Sequence, residues 1–272
     1  MRGAVSHVRR QERCEQVGLA FSEQFINTCC CGGTGYVVTN APVGHILFGK
    51  AIPCICRRDD QKRQRALSLR KASGISDNEL IDLSFERFRP ELALAPKGMS
   101  HEQIATLVRE VKQKCEEYAK RPEGWLVIQG KTGTGKTHLA FAIAGACINR
   151  NLTVFAKPVP DLLDMLRDSY SIGAHGEQME MLKDVELLVL DDLGAQRDTG
   201  WALDVLYQVL NHRYSKKLPL VVTTNLDMRR VDLDERLVSR LLDGAETGRG
   251  FSRLLLMQCN DFRPGRTMEM SI

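Results

Sequence analysis

No stretch of this 272-residue chain approaches the roughly 20 consecutive apolar residues that span a bilayer, which excludes a membrane-spanning helix. The amino terminus is basic but lacks the apolar run of a secretory signal, so the expected compartment is the cytoplasm, with no membrane partner. Neither sign of charge dominates, with 38 Lys/Arg against 34 Asp/Glu for a net +4. The near-balance hides an uneven distribution. Residues 1–71 carry 12 Lys/Arg against 5 Asp/Glu, net +7, and the remainder carries 26 against 29, net −3. Arg57, Arg58, Lys62, Arg63, Arg65, Arg70 and Lys71 crowd one short stretch. Such a run serves either as a solvated linker or as a surface for single-stranded DNA phosphates or an acidic partner. The length allows a large core, or two domains.

Gly130 to Thr137 reads Gly-Lys-Thr-Gly-Thr-Gly-Lys-Thr and satisfies G-x-x-x-x-G-K-[ST] at every constrained position. Glycines at Gly130, Gly133 and Gly135 let the backbone curl so that successive N–H groups face a phosphate, and a helix following the loop adds the positive end of its dipole. Lys131, Thr132, Thr134 and His138 complete the expected phosphate-binding segment. Lys136 is expected to neutralise β- and γ-phosphate oxygens of ATP, and the Thr137 hydroxyl to hold Mg2+. The flanks suit this chemistry. Trp125–Gln129 is a short apolar run of the buried parallel-strand kind, and His138–Arg150 is Ala-rich and proline-free, as a helix requires.

Further along, Val185–Leu190 is an apolar strand leading into Asp191 and Asp192. Carboxylates at a strand's carboxyl end beside a phosphate loop hold magnesium and polarise the attacking water. Asp191 is assigned to magnesium and Asp192 to water activation. A third strand, Leu218–Thr224, ends in Asn225, whose amide could bond the γ-phosphate or the attacking water, although an isolated Asn there is also a common turn residue. Asp232–Asp243 has the spacing of one apolar helix face, with Leu233, Leu237 and Leu241 in register. Arg236 and Arg240, four apart, share another face.

Five of nine cysteines fall between Cys29 and Cys56. Cys29-x-Cys31 and Cys54-x-Cys56 form two short turns separated by a hairpin-sized stretch, and such pairs can surround Zn2+ tetrahedrally. Cys30 could stand in for Cys29, and Cys14 or His45 could join. Tyr36–Phe48 has the β-branched and aromatic content of a hairpin. Cys14, Cys115, Cys147 and Cys259 follow no spacing and read as buried thiols. Ser73-Gly74-Ile75-Ser76 and Arg89-Pro90 mark a linker and the start of a second domain. Phe85 and Phe88 suit core packing. Met99–Arg121 reads as a helix, with Ile104, Leu107, Val108, Val111 and Cys115 on one stripe, and Asp161–Tyr170 and Gln178–Lys183 as short helices.

GKTGTGKTHLA, LLVLDDLG, VVTTNL, ERLVSRL and the closing NDFR resemble, in order and spacing, the AAA+ ATPases of the DnaC/DnaI helicase-loader and IstB group, over roughly residues 80 to 263. The resemblance implies an α/β AAA+ P-loop NTPase fold, without a helical lid, built on a five-stranded parallel sheet near 125–129, 152–156, 186–191, 218–224 and 251–257. It places Asn225 at the sensor-1 position. It gives Arg240 the role of an arginine finger reaching a neighbouring subunit, hence a homo-oligomer, and Arg263 that of a terminal sensor-2-like arginine. SFERFRPE also resembles the group's entry motif, which implies an adenine contact for Phe85 and Phe88. The cysteine segment resembles the zinc-ribbon modules of DnaI-like loaders, which implies a zinc-binding domain at 1–71 and an ATPase domain at 72–272. By the same likeness the expected partners are a replicative helicase and single-stranded DNA. Asp192 departs from the Asp-Glu pair of many AAA+ proteins, and its shorter side chain is expected to slow hydrolysis. Three functions compete: an ATP-hydrolysing helicase loader, an IstB-like transposition ATPase acting with a transposase on duplex DNA, and a non-hydrolytic ATP-gated adaptor.

Overall fold

A computed structural model describes residues 31, 34–38, 43, 45, 46, 48–54, 68–196, 199–228, 234–244 and 250–260. The chain divides into two compact units, Met1–Leu67 and Ser68–Ile272.

In the first unit, β1 (Tyr36–Val38) pairs antiparallel with β2 (Ala51–Pro53), Val37 opposite Ile52. The second strand begins at Ala51, after the Phe48 at which the expected hairpin ended, with Phe48, Gly49 and Lys50 still ahead of it. Thr34 closes a turn by donating from both its N–H and its hydroxyl to the Cys31 carbonyl, at 3.1 and 2.8 Å. The Cys54 N–H donates to Gly35 O at 2.9 Å. Cys31 and Cys54 are thereby both buried beside the open end of the hairpin.

The second unit is a parallel sheet of five strands in the order β4-β5-β6-β3-β7. These are β3 (Trp125–Gly130), β4 (Val154–Pro158), β5 (Leu187–Leu193), β6 (Leu220–Thr224) and β7 (Ser252–Met257). The connecting helices are α1 (Asp77–Asp82), α2 (His101–Lys120), α3 (Lys136–Asn149), α4 (Val159–Ser171), α5 (His175–Asp184), α6 (Gly200–Lys216) and α7 (Glu235–Leu241). Both sheet faces are covered, which is why the strands read as unbroken apolar runs. Leu126, Ile128, Leu187 and Val189 enter one core with α2 and α3 residues. Trp125, Val127, Leu188 and Leu190 enter the other, with α4 to α7. Each fully buried Leu or Ile of this kind contributes about 1.5–3 kcal/mol.

Local sequence explains the helix starts. Ser76 with Glu79, and Ser100 with Gln103, form reciprocal capping boxes that open α1 and α2. On α2, Ile104, Val108, Val111 and Cys115 are buried at the expected spacing. Several strand boundaries differ from expectation. Leu218 is not in β6: its N–H donates to Arg213 O at 2.9 Å, closing α6 after Lys217 turns left-handed (φ 56°). β4 begins two residues later than expected, at Val154, and ends two later, at Pro158, which still pairs with Asp191.

Candidate functional site

The phosphate loop lies where β3 hands over to α3. Gly135, the residue before α3, takes φ 85°, and a Cβ there would also meet the Phe88 ring at 2.7 Å. Only glycine satisfies both the conformation and the contact. Gly130 is required for a different reason, since a Cβ would lie 2.7 Å from both Cβ and O of Met257 on β7. Thr134, fully buried, ties the loop by donating its hydroxyl to Lys131 O at 2.8 Å. Unlike α1 and α2, α3 has no side-chain cap and no acid in its first turn. Its leading N–H groups and dipole therefore face a cleft of about 490 Å³.

That cleft is lined by Thr132, Gly133, Gly135, Lys136, Thr137, Asp191, Asp192, Thr223 and Asn225, with Leu83 at its edge. Lys136 donates to Asn225 Oδ1 at 2.6 Å and to Lys131 O at 2.8 Å. Asn225 Nδ2 donates to Asp192 Oδ1 at 2.6 Å. Thr137 Oγ1 lies 2.9 and 3.0 Å from the two Asp191 oxygens. The loop, the end of β5 and the tip of β6 are thus joined by one polar network.

Two adjacent strand residues ordinarily point to opposite faces, so Asp191 and Asp192 need a device to reach one cleft together. The device is a bulge. Leu190 pairs with Val222 and Leu193 with Thr224, leaving both aspartates opposite Thr223 alone. Asp192 takes φ 56°, an uncommon value for a residue with a side chain. Leu193, not Asp192, then returns to the core shared by Leu188 and Leu190. β5 therefore runs through both acids to Leu193, two residues past the expected end of this strand at 191.

Thr223, which sequence reasoning did not single out, fixes the bulge. Its hydroxyl donates to Asp191 Oδ1 at 2.6 Å and accepts from the Asp192 N–H at 2.9 Å. The available signal was a second threonine ahead of Asn225 where a buried strand calls for an apolar residue. Asp191 is 5% exposed, and burial holds its carboxyl above the usual carboxylate range, with Asp192 adding repulsion. Thr223, Thr137 and Lys136 pull the other way. With a folded pKa above the unfolded one, ionised Asp191 costs stability at neutral pH, and that cost is relieved as pH falls through the folded value. Asp191→Asn is therefore expected to raise the stability of the nucleotide-free chain by about 0.5–2 kcal/mol at neutral pH. The gain should shrink in mildly acidic buffer. Thermal unfolding across pH checks this, and a variant less stable at every pH would contradict it.

The cleft fits magnesium triphosphate: a hydroxyl and a carboxylate in contact, a cation beside them, and uncapped helix N–H groups. His138 is placed differently. Its Nε2 lies 2.7 Å from Ser84 O, its ring meets Phe88 edge-on at 5.1 Å, and it does not line the cleft. Burial lowers its pKa. Phe88 is a core residue, 4% exposed, wedged under Gly135, while Phe85 packs partly buried against the same core.

Arg236 and Arg240 line a separate depression with Tyr214, Glu235, Ser239 and Asp243. They do not project freely together, since both guanidinium groups lean over the Tyr207 ring of α6. Arg263, Cys29 and Cys56, like Cys14, Cys30, Leu233 and most of the basic run, lie outside the described residues. His45 is exposed, and among the described residues no three His, Cys, Asp or Glu side chains are grouped for a metal. Among these residues, no helix is long and apolar enough to cross a membrane.

A family model for IstB-like ATP-binding proteins matches residues 108–245. YdaV of Escherichia coli K12, itself uncharacterised, is 33% identical over 142 residues, 51% of this chain and 54% of YdaV. This chain thus spans about half the length of that relative. The replicative helicase loader DnaC of the same organism is 27% identical over 190 residues, 66% of this chain and 72% of DnaC. A solved structure of the DnaC helicase loader superposes with a TM-score of 0.51 at 21% identity, covering 66% of this chain and 99% of that one. At that identity the likeness concerns the fold, an α/β AAA+ P-loop architecture.

Proposed function

We propose, since this chain belongs to the family of IstB-like ATP-binding proteins, that it is an ATP-hydrolysing helicase loader, acting in the cytoplasm in DNA replication. The observation that carries the ATPase part is the convergence of Lys136, Thr137, Asp191, Asp192 and Asn225 on one cleft. The loader part is supported by the homology to DnaC over two thirds of the chain.

In this reading the loop N–H groups and α3 dipole orient the triphosphate, and Lys136 exchanges Asn225 for phosphate oxygens. Thr137 and Asp191 would hold magnesium, which when bound offsets charge on the β- and γ-phosphates. Asp192 accepts a proton from the water whose oxygen attacks the γ-phosphorus. The bond to the β–γ bridging oxygen breaks, and ADP leaves with that electron pair. Asn225 orients the water. Arg240, reaching in from a neighbouring copy, neutralises charge on the transferring group, and Arg263 is assigned a supporting contact.

Single-stranded DNA is the assigned substrate surface. Tyr170, 54% exposed, stacks on His175 at 3.8 Å, and Arg167 sits 4.9 Å over the adjacent Trp201 ring. An exposed tyrosine ring close to a cation suits base stacking. The amino-terminal unit is assigned to gripping the replicative helicase. Its zinc ligands are assigned as Cys29, Cys31, Cys54 and Cys56, on the strength of the two buried cysteines beside the hairpin. Metal analysis should find one zinc per chain, and none would remove that assignment.

Arg240→Ala is expected to leave ATP affinity within about twofold and lower turnover at least about a hundredfold, as loss of an arginine finger does. Steady-state ATPase measured with single-stranded DNA over a range of protein concentrations tests it, and undiminished turnover would remove the finger. The IstB-like family match favours a second reading, a transposition ATPase on duplex DNA. Tighter binding to duplex than to single strands, with capture of a transposase, would select it. The short Asp192 favours a non-hydrolytic adaptor, which tight ATP binding with turnover near zero would select.

A further inference from the structure

We infer that Tyr207 and Asn211, one turn apart on α6, are positioning residues that aim Arg240 at the neighbouring subunit's triphosphate. This rests on the reading of Arg240 as a finger and adds the residues that hold it.

The two arginines of α7 differ in what answers their charge. Arg236 is neutralised in place, its Nε 3.0 Å from Asp234 Oδ1 with a second bond from Nη2 to Oδ2. Among the described residues, Arg240 is held by neutral groups only. Nη2 donates to Asn211 Oδ1 at 2.7 Å, Nη1 donates to Arg236 O at 2.9 Å, and the Tyr207 and Tyr214 ring centroids lie 5.2 and 5.7 Å from its guanidinium carbon. Its Nε is buried with no hydrogen-bond partner among the described residues.

An amide oxygen and two ring faces fix direction and satisfy donors while leaving the positive charge available, which a carboxylate at position 211 would not. The holder is itself rigid. α6 is a 17-residue helix capped by Thr199 at its start, a few residues after Asp191 and Asp192. The backbone at Arg240 is fixed as well, since Ser252 Oγ on β7 donates to Arg240 O at 2.8 Å. A finger held by two hydrogen bonds to neutral acceptors can reorient at small cost when a γ-phosphate arrives, because a guanidinium offers five donors and here spends two on acceptors.

The test separates a positioning role from a structural one by mixing subunits. Asn211→Leu and Tyr207→Leu chains keep their own phosphate loops, so in each case the finger alone is misaimed. Each variant should hydrolyse ATP about tenfold more slowly, the loss expected from one hydrogen bond or ring contact, with ATP affinity unchanged. Adding an Asp192→Asn chain, which cannot hydrolyse but presents an intact finger, should restore turnover at the variant's sites. Adding an Arg240→Ala chain should not. Wild-type turnover in both variants would overturn the assignment, as would failure of Asp192→Asn to rescue either. Normal hydrolysis by Arg240→Ala alone would instead sink the finger itself.

Discussion

A Lys136→Ala chain is expected to fold normally and to lose ATP turnover by at least about a hundredfold, the usual cost of removing a group that stabilises transition-state charge. Lys136 sits 6% exposed at the first residue of α3, with its ammonium bonded to Lys131 O and Asn225 Oδ1. That is the arrangement of the chain on its own. A triphosphate in the cleft presents anionic oxygens, which outcompete a carbonyl and an amide for a cation. The swap also releases Asn225 to act on water, so one substitution removes both the charge and the trigger. Alanine leaves two neutral acceptors beside an open cleft that water can enter, which is why the fold should survive. ATPase assays and thermal unfolding on the same preparation check both halves. Turnover above about a tenth of wild type would contradict the assigned role of Lys136.

The largest stability effect is expected at Arg213, far from the nucleotide. This arginine of α6 has no exposed surface. Nη1 donates to the carbonyls of Leu182, Lys183 and Val185 at 3.1, 3.1 and 2.8 Å, and Nη2 to that of Pro219 at 2.6 Å. Leu182 and Lys183 belong to the last turn of α5, whose carbonyls have no helical partner. Val185 and Pro219 lead into β5 and β6. One side chain thus joins the carboxyl end of a helix to the entries of two neighbouring strands. Burial pushes its guanidinium down to about 10, so it stays charged at neutral pH. Arg213→Met fills much of the space but takes this donor from the carbonyls of Leu182, Lys183 and Val185, while Pro219 O keeps the Leu188 N–H at 3.4 Å. The cost should be about 3–5 kcal/mol, or roughly 10 °C in melting temperature for a domain of this size. A shift under about 2 °C would show that water or repacking satisfies those carbonyls.

Arg213 also shows where the sequence fell silent. It lies in an ordinary amphipathic stretch, and no local pattern distinguishes a buried arginine from a solvated one. Its acceptors are backbone carbonyls, which any sequence supplies. By contrast, the strands at Trp125–Ile128 and Leu187–Leu190 were legible because both faces of the sheet are covered and every one of these residues must be apolar. The phosphate loop was legible because its glycines answer to φ values and close approaches that other residues cannot meet. Asp191 and Asp192 were identified as a pair, but the bulge that lets both face the cleft was not. A bulge is set by the pairing of β5 with β6, which is a property of two distant segments. Thr223 was missed for the same reason, since its role exists only across that pairing. Arg236 and Arg240 were placed on a common face by helical spacing. What they lean on, Tyr207 and Asn211, comes from another helix and follows no spacing rule.

The most direct test of the central claim is a calorimetric titration of the folded full-length chain with ATP and magnesium. One site per chain is expected, with heat that disappears when magnesium is withheld or when Thr137 is replaced by alanine. A well-folded chain that gives no heat with ATP and magnesium would contradict a triphosphate site at Gly130–Thr137 and Asp191.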